Sequence, residues 1–352
     1  GNKTMVVVAY EERKEALLGV KLLALSLEKH CPGLKLILAI PESRASEFKD
    51  FIEWSKGLHN LEVMPYQFSY SWMSFNAKPH LLKLLLEKYD EVFWIDTDII
   101  ISKDFRSLIK DLPKETFVAT EETERDSGQG SLERTKGWNL IPGKELKVTV
   151  CSGFIRATRT HLELLTLWEQ MLNNPIYIEA QDLPFEEMPK HLLGDQDVLT
   201  ALLGSKQFEE LSLKLLRRGS EIIQEIPGRG YTVKERIENL KRNQLAPLLH
   251  AQGDAKPWLI KSDTSSKFQE LIRRSSLELS TYFHEARKYR DALGEPATCL
   301  EFTSPVAQFF RFVTLNHPTL QGLPLTAIYT MLSLLKRYTM SNSLKSASSF
   351  PN

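Results

Sequence analysis

Val92-Phe93-Trp94-Ile95-Asp96-Thr97-Asp98-Ile99-Ile100-Ile101 is an apolar run broken by two aspartates. Its length and its branched and aromatic residues suit a strand buried on both faces. A buried carboxylate without a partner is costly, and two close together cost more. The solvent-facing end of the strand, a cation, or both would relieve that cost. Asp-X-Asp at a strand end lets both carboxylates reach one hard divalent ion, Mg2+ or Mn2+, of the kind that bridges to a diphosphate. An Asp-rich turn between two short strands is the bland alternative, and the spacing alone leaves both readings open.

Upstream, Met5 to Ala9 reads as a buried first strand. Helical spacing from Glu11 to Lys29 stops at His30-Cys31-Pro32-Gly33. Leu34 to Ile40 reads as a second strand, Ala45 to Leu58 as a helix and Leu61 to Met64 as a third strand. Lys78 to Tyr89 reads as a third helix leading into the aspartate run. The order β-α-β-α-β predicts a parallel sheet with right-handed crossovers. It puts Asp96 and Asp98 at the carboxyl end of a strand, where open α/β sheets bind ligands.

Downstream, Thr120 to Lys147 mixes charge with turn formers and reads as a long loop, either a substrate lid or a plain mobile insertion. Val148 to Ile155 reads as a strand interrupted by Ser152-Gly153. A strand glycine often marks the close approach of a ligand or another backbone. A helix is expected from Thr160 to Asn173. Gly194-Asp195-Gln196-Asp197 opens a further helix. There Asp195 either caps the helix or, with Gln196, faces the cleft to hydrogen-bond a polar ligand such as a sugar. In Leu248 to Trp258 the spacing permits His250 on a metal, a Gly253 amide near phosphate and Lys256 against diphosphate charge. Imidazole beside two carboxylates favours Mn2+ over Mg2+.

Composition bounds these readings. The 352 residues form one large domain, or one domain with an extension. Lysine plus arginine and aspartate plus glutamate both number 45, so no global charge argues for nucleic acid as a partner. Cys31, Cys151 and Cys299 are few and far apart, as expected of free thiols in a reducing compartment. No apolar segment reaches the roughly 18 to 20 residues of a transmembrane helix. A cytoplasmic protein is expected, peripheral at a membrane at most, unless a native leader has been removed ahead of Gly1.

Past Asp263 the chain turns helical and apolar, with breaks at Pro305, Pro318 and Pro324. The extension is expected to pack on the preceding domain from Thr264 to Tyr289. After Pro305 it is expected to meet a membrane or a second copy of the chain through its aromatic residues and basic flanks. The domain reading is residues 1–262, a helical extension 263–340, and a serine-rich tail 341–352 without fixed structure.

Taken together, Asp96-Thr97-Asp98, Cys151-Ser152-Gly153, Gly194-Asp195-Gln196-Asp197 and His250-X-X-Gly253-X-X-Lys256-Pro257-Trp258, in this order, resemble glycosyltransferase family 8. That family includes glycogenin and bacterial lipooligosaccharide galactosyltransferases. The resemblance spans about Met5 to Lys261 and implies a GT-A fold, an α/β architecture with a mostly parallel central sheet flanked by helices. It implies a Mn2+-dependent retaining transfer of a hexose from a nucleotide-sugar, usually a UDP-sugar. The acceptor would be a saccharide, a lipid-linked saccharide or another hydroxyl compound.

Carried over by position, Asp96, Asp98 and His250 would bind Mn2+, with Mg2+ the second candidate, and Gly253 and Lys256 would hold the diphosphate. Asp195 would bind donor-sugar hydroxyls. Gln196 would lie near the sugar's β face, and Lys78 near the donor. Ser152 and Gly153 match the family's Asn-Ser-Gly element, but Cys151 replaces its asparagine. Ala9-Tyr10-Glu11, which should face uridine, matches poorly. Two other classes compete: a catalytically degenerate glycan-binding or scaffold relative, and a sugar-nucleotidyltransferase. The second would want a glycine-rich basic loop where this chain has Tyr10-Glu11-Glu12-Arg13.

Overall fold

The computed structural model describes residues 4–69, 74–123, 129–226, 228–259 and 266–347. Ten strands are present among them: β1 (Met5–Tyr10), β2 (Lys35–Pro41), β3 (Leu61–Tyr66), β4 (Glu91–Ile95), β5 (Ile99–Ile101), β6 (Phe117–Glu121), β7 (Val150–Thr158), β8 (Leu213–Leu216), β9 (Ile222–Glu225) and β10 (Leu248–Ala251). The helices of the first half are α1 (Leu17–His30), α2 (Lys49–Ser55), α3 (Lys78–Leu86), α4 (Leu132–Gly137) and α5 (Leu162–Leu172). Those of the second half are α6 (Pro175–Ala180), α7 (Asp195–Leu203), α8 (Val233–Lys241), α9 (Lys267–Glu278), α10 (Thr281–Ala286), α11 (Pro305–Val313) and α12 (Leu323–Ala347).

Seven strands form the main sheet in the order β3-β2-β1-β4-β7-β6-β8. Strands β1 to β4 are mutually parallel where they pair, and β7 runs antiparallel between β4 and β6. Alternation along β1 explains the layers. Val7 and Ala9 pack with Val20, Leu23, Ala24 and Leu27 of α1. Val6 and Val8 face the other way, with Leu81, Leu82 and Leu85 of α3, Leu165 of α5 and Val198 of α7. A strand covered by helices on both faces has no polar side, so this segment is uniformly apolar.

The aspartate run is not one strand. After Ile95 the chain leaves the main sheet, turns through Asp96-Thr97-Asp98, and enters a three-stranded sheet ordered β5-β10-β9. The turn is closed by Ile99 N–H donating to Asp96 O at 3.1 Å. Two carboxylates cannot stay inside a run buried on both faces, so the chain breaks where they occur. The turn reading and the metal reading therefore describe the same place.

Two other expectations change. The stretch Thr120–Lys147 is not all loop, since it holds the end of β6 and the helix α4; residues 124–128 lie outside the described residues. Helix α12 continues to Ala347, so the first residues of the expected unstructured tail are helical. Extending an existing helix fixes one residue per added bond, which serine and asparagine tolerate. Residues 348–352 and the expected boundary near 262 lie outside the described residues.

The first part of the extension is packed. Leu277, Tyr282, Phe283, Ala286 and Tyr289 are buried with Leu22 of α1 and with Ile100 and Leu249 of the small sheet. Beyond Pro305, Ala307, Phe310 and Leu325 join a small cluster with Leu279. Phe309 and Phe312 are 60% and 79% exposed. No described helix is long and apolar enough to cross a membrane.

Candidate active site

Three segments meet at the break between the two sheets: the turn after β4, the middle of β7 and the end of β10. Asp96 N–H donates to Gly153 O at 2.8 Å, and Ala251 N–H to Asp98 O at 2.9 Å. His250 pairs opposite Ile99 across the β10–β5 ladder. This register brings His250 Nε2 to 2.9 Å from Asp98 Oδ1 and 3.8 Å from Asp96 Oδ2. One ligand atom from each of Asp96, Asp98 and His250 lies within 4.8 Å of the others.

The cluster fits a divalent cation. Adjacent ligand atoms of an octahedral ion at about 2.1 Å sit roughly 3 Å apart, close to the 2.9 Å between His250 Nε2 and Asp98 Oδ1, with Asp96 Oδ2 further off at 3.8 Å. Asp98 Oδ1 is buried and faces His250 Nε2 at 2.9 Å, with no well-aligned donor hydrogen on it. Buried oxygen normally finds a donor, so an unmatched carboxylate oxygen facing an imidazole suits an ion between them. Burial pulls the His250 pKa down, but the adjacent Asp98 carboxylate more than reverses this and holds it well above the ordinary imidazole range. Burial raises the Asp98 pKa, and His250 with Lys256 overcomes this, leaving the carboxyl well below its usual value.

Gly153 is what lets β7 run past this cluster. A Cβ there would lie 2.7 Å from His250 Cε1 and 3.2 Å from Asp96 Oδ2. The expected strand glycine at a close approach is found, and what approaches is the candidate metal triad. Lys256 Nζ lies 3.1 Å from Asp98 Oδ2, at the open side of the cluster. Gly253 has φ of +53°, and a Cβ there would meet nothing. The left-handed backbone, rather than crowding, favours glycine at that turn.

Lys78 is only 3% exposed. Its ammonium lies 3.3 Å from Asp96 Oδ1 and 3.2 Å from Asp195 Oδ2, and donates to Ser152 Oγ at 2.7 Å. Burial lowers its pKa, but Asp195 and Asp96 raise it further, so the group stays charged. Asp195 begins α7, yet its side chain does not cap the helix. Its Oδ2 accepts from Ser152 Oγ at 2.6 Å, and burial raises its pKa against the pull of Lys78. Lys78, Ser152 and Asp195 therefore form a buried support behind Asp96. Trp94 Nε1–H also donates to Asp96 Oδ1, at 2.7 Å. Gln196 is half-buried and donates through Nε2 to Glu122 Oε2.

The sequence singled out Glu11 only within Ala9-Tyr10-Glu11, the stretch expected to face uridine, and it offered no place in the site to Gly19, Glu122 or Gln252. Glu11 is fully buried and accepts from Thr97 Oγ1 at 2.8 Å, from the Arg13 backbone and from the Arg13 guanidinium. It holds the aspartate turn from the end of β1. Tyr10 beside it packs edge-on against Phe68. Gly19 in α1 is also required, because a Cβ would lie 2.5 Å from Thr97 O and 2.6 Å from the Trp258 ring. A glycine inside the helical pattern expected from Glu11 to Lys29 was the available signal, although in the structure it stands in the first turn of α1. Glu122 and Gln252 had no signal, because their partners are distant in sequence.

Neither a family model nor a curated protein matches the sequence. Solved structures do match the fold. One is a WbbM bifunctional glycosyltransferase in its apo form, with a TM-score of 0.52 and 13% identity over 82% of this chain. This chain spans 52% of that protein, about half its length. Others are the galactosyltransferase LgtC with donor and acceptor sugar analogs (TM-score 0.44, 16% identity, 82% of this chain and 99% of that one) and GlyE of Streptococcus pneumoniae (TM-score 0.42, 16% identity, 85% and 66%). The fold is thus the GT-A fold of glycosyltransferases, a mixed α/β sheet with helices on both faces.

Proposed function

We propose that the protein is a retaining, Mn2+-dependent glycosyltransferase that moves a hexose from a UDP-sugar to a hydroxyl acceptor. The observation that carries this reading is the meeting of Asp96, Asp98 and His250 beside Lys256, at the strand ends of a GT-A sheet. When bound, the divalent ion would neutralise charge on the donor's diphosphate. Asp96, Asp98 and His250 would hold it. Lys256, with the Gly253 turn beside it, would bind the same diphosphate. Its ammonium would stabilise the negative charge of the departing UDP more than that of the intact donor, which is what lowers the barrier. Gln196 would present its amide to the sugar's β face, where positive charge develops at the anomeric carbon. Asp195 would orient sugar hydroxyls or, given its burial, the groups that do so.

The acceptor is proposed to be presented at an anionic lipid surface. Phe302 to Asn352 contains no acidic residue but does contain Arg311, Lys336, Arg337 and Lys345. The same segment exposes Phe309, Phe312, Leu315, Leu332 and Leu335. Exposed apolar groups among cations suit a membrane interface.

The test is calorimetry of UDP with the full chain, followed by hydrolysis of UDP-glucose, UDP-galactose and UDP-N-acetylglucosamine. UDP should bind only with Mn2+ or Mg2+ present, and Asp98→Ala should weaken that binding sharply. Equal binding in a chelator would overturn the assignment.

A further inference from the structure

Glu122 follows β6 and is 4% exposed. Its backbone N–H donates to Thr149 O at 2.9 Å, which fixes the residue against the start of β7. Its carboxylate joins two parts of the site. Oε2 accepts from Gln196 Nε2 on α7. Oε1 accepts from the Thr123 backbone at 2.8 Å and from Gln252 Nε2 at 3.5 Å. Gln252 stands between His250 and Gly253, and its own N–H donates to Glu225 O at 2.9 Å. Thr123 Oγ1 completes the network, lying 2.8 Å from Gln224 Oε1 and 3.2 Å from Gln252 Oε1.

We propose that Glu122 is a positioning residue that fixes which end of the Gln196 amide faces the donor sugar. This rests on the glycosyltransferase reading above. A glutamine amide has a donor end and an acceptor end of nearly equal shape, and nothing in its own rotamer selects between them. An ionised carboxylate only accepts, so the amide nitrogen must face Glu122. The carbonyl oxygen is then turned to the opposite side. That oxygen is the end able to stabilise positive charge at an anomeric carbon. A flipped amide would present N–H groups there and oppose the charge. The anionic partner also polarises the amide and increases the negative character of its oxygen. Because Oε1 is tied to Gln252, the amide is referenced to the same strand end that carries His250.

The experiment compares wild type, Glu122→Ala, Glu122→Gln, Gln196→Ala and the double variant Glu122→Ala/Gln196→Ala in the full chain with Mn2+. Donor hydrolysis is followed with the three UDP-sugars and UDP binding by calorimetry. Glu122→Ala should lower kcat roughly 10- to 100-fold, as a misplaced reacting group does, with UDP affinity within about twofold. Glu122→Gln, which keeps the shape and an acceptor but loses the charge, should fall between. The double variant should fall well short of the product of the two single losses, because the effect of Glu122 on turnover runs chiefly through that amide, beside its contacts with Gln252 and the Thr123 backbone. Losses that multiply, or kcat in Glu122→Ala within about threefold of wild type, would overturn the inference.

An activity-independent measurement separates this inference from the function it rests on. With 15N-glutamine labelling, the side-chain amide signal missing in Gln196→Ala should move strongly in Glu122→Ala. An unmoved signal overturns the positioning role. A moved signal in a protein that turns over no UDP-sugar refutes the glycosyltransferase reading and the catalytic purpose given to Glu122, but not its hold on the amide.

Discussion

Gly153→Ala tests the geometry of the metal cluster without removing a ligand. The added Cβ would lie 2.7 Å from His250 Cε1, whereas carbon atoms rest at about 3.5 to 4.0 Å. One of them must therefore move by roughly 1 Å. On the β4 side the strand is held at Gly153 by the Asp96 N–H, which donates to Gly153 O at 2.8 Å, whereas the β6–β7 register shifts beside it. Where β7 holds, His250 gives way, although it is 4% exposed and sits on a paired strand. Metal–ligand distances tolerate only about 0.2 Å, so the imidazole should lose its place on the ion. We expect the Mn2+ concentration for half-maximal UDP binding to rise about 10- to 100-fold, with about 1 to 3 kcal/mol lost in urea unfolding. Calorimetry across a Mn2+ series and urea unfolding in chelator read the two effects separately. A folded variant whose Mn2+ requirement stays within about twofold of wild type would refute the placement of His250 on the metal.

Three further outcomes follow from the same structure. Lys78→Met should lower the unfolding free energy by about 3 to 5 kcal/mol, because Asp96 and Asp195 lose their shared buried cation; a loss under about 1 kcal/mol would remove Lys78 from its supporting role. Asp197, buried beside Arg134, has a carboxyl raised by burial to about 6 from an ordinary 3.8. The folded state thus holds this proton more tightly than the unfolded chain. The resulting stability is complete below about pH 4 and is lost as pH rises through about 6. A carboxyl 13C titration with its midpoint at the ordinary value would contradict this. Phe309→Ser with Phe312→Ser should reduce sedimentation of the full chain with phosphatidylserine liposomes while leaving UDP binding intact; undiminished sedimentation would remove α11 as the lipid contact.

Much of the frame was readable from the sequence because it depends on local pattern. The alternation of strands and helices up to β4 follows from apolar periodicity and from stops such as Pro32-Gly33, and both survive in the structure. The aspartate turn was harder. A ten-residue apolar run looks the same whether it is one strand or two strands in different sheets, and only the pairing of β5 with β10 distinguishes them. The role of Lys78 was not readable either. Lysine is usually exposed, and its burial depends on Asp195, which is 117 positions away in the sequence. Asp195 itself looked equally like a helix cap, since position and residue type agree with both readings. Glu122 and Gln252 lie 130 residues apart and meet only after the sheets assemble.

The buried lysine also explains how the carboxylate cluster is held in place by the protein itself. From the core outward, charge alternates in layers. Lys78 is the innermost group, held between Asp195 and Asp96. Asp96 and Asp98 form the next layer with His250, and Lys256 lies at the outer side against Asp98. Three carboxylates thus face two ammonium groups and one imidazole within a few ångströms. Asp96 and Asp98 each have a fixed partner on one oxygen: Lys78 and Trp94 hold Asp96 Oδ1, while Lys256 holds Asp98 Oδ2. The oxygens left facing His250 are Asp96 Oδ2 and Asp98 Oδ1, the pair nearest the imidazole nitrogen. One oxygen of each aspartate is thereby engaged by the protein's own side chains, and the other is left in the cluster that could hold a cation. Lysine suits the inner position because it brings a compact charge on a flexible stem that reaches both carboxylates. Arginine at position 78 would need room for a planar fork in a space that is 3% exposed. On this account Lys78→Arg should disturb the site almost as much as Lys78→Met, although it preserves the charge.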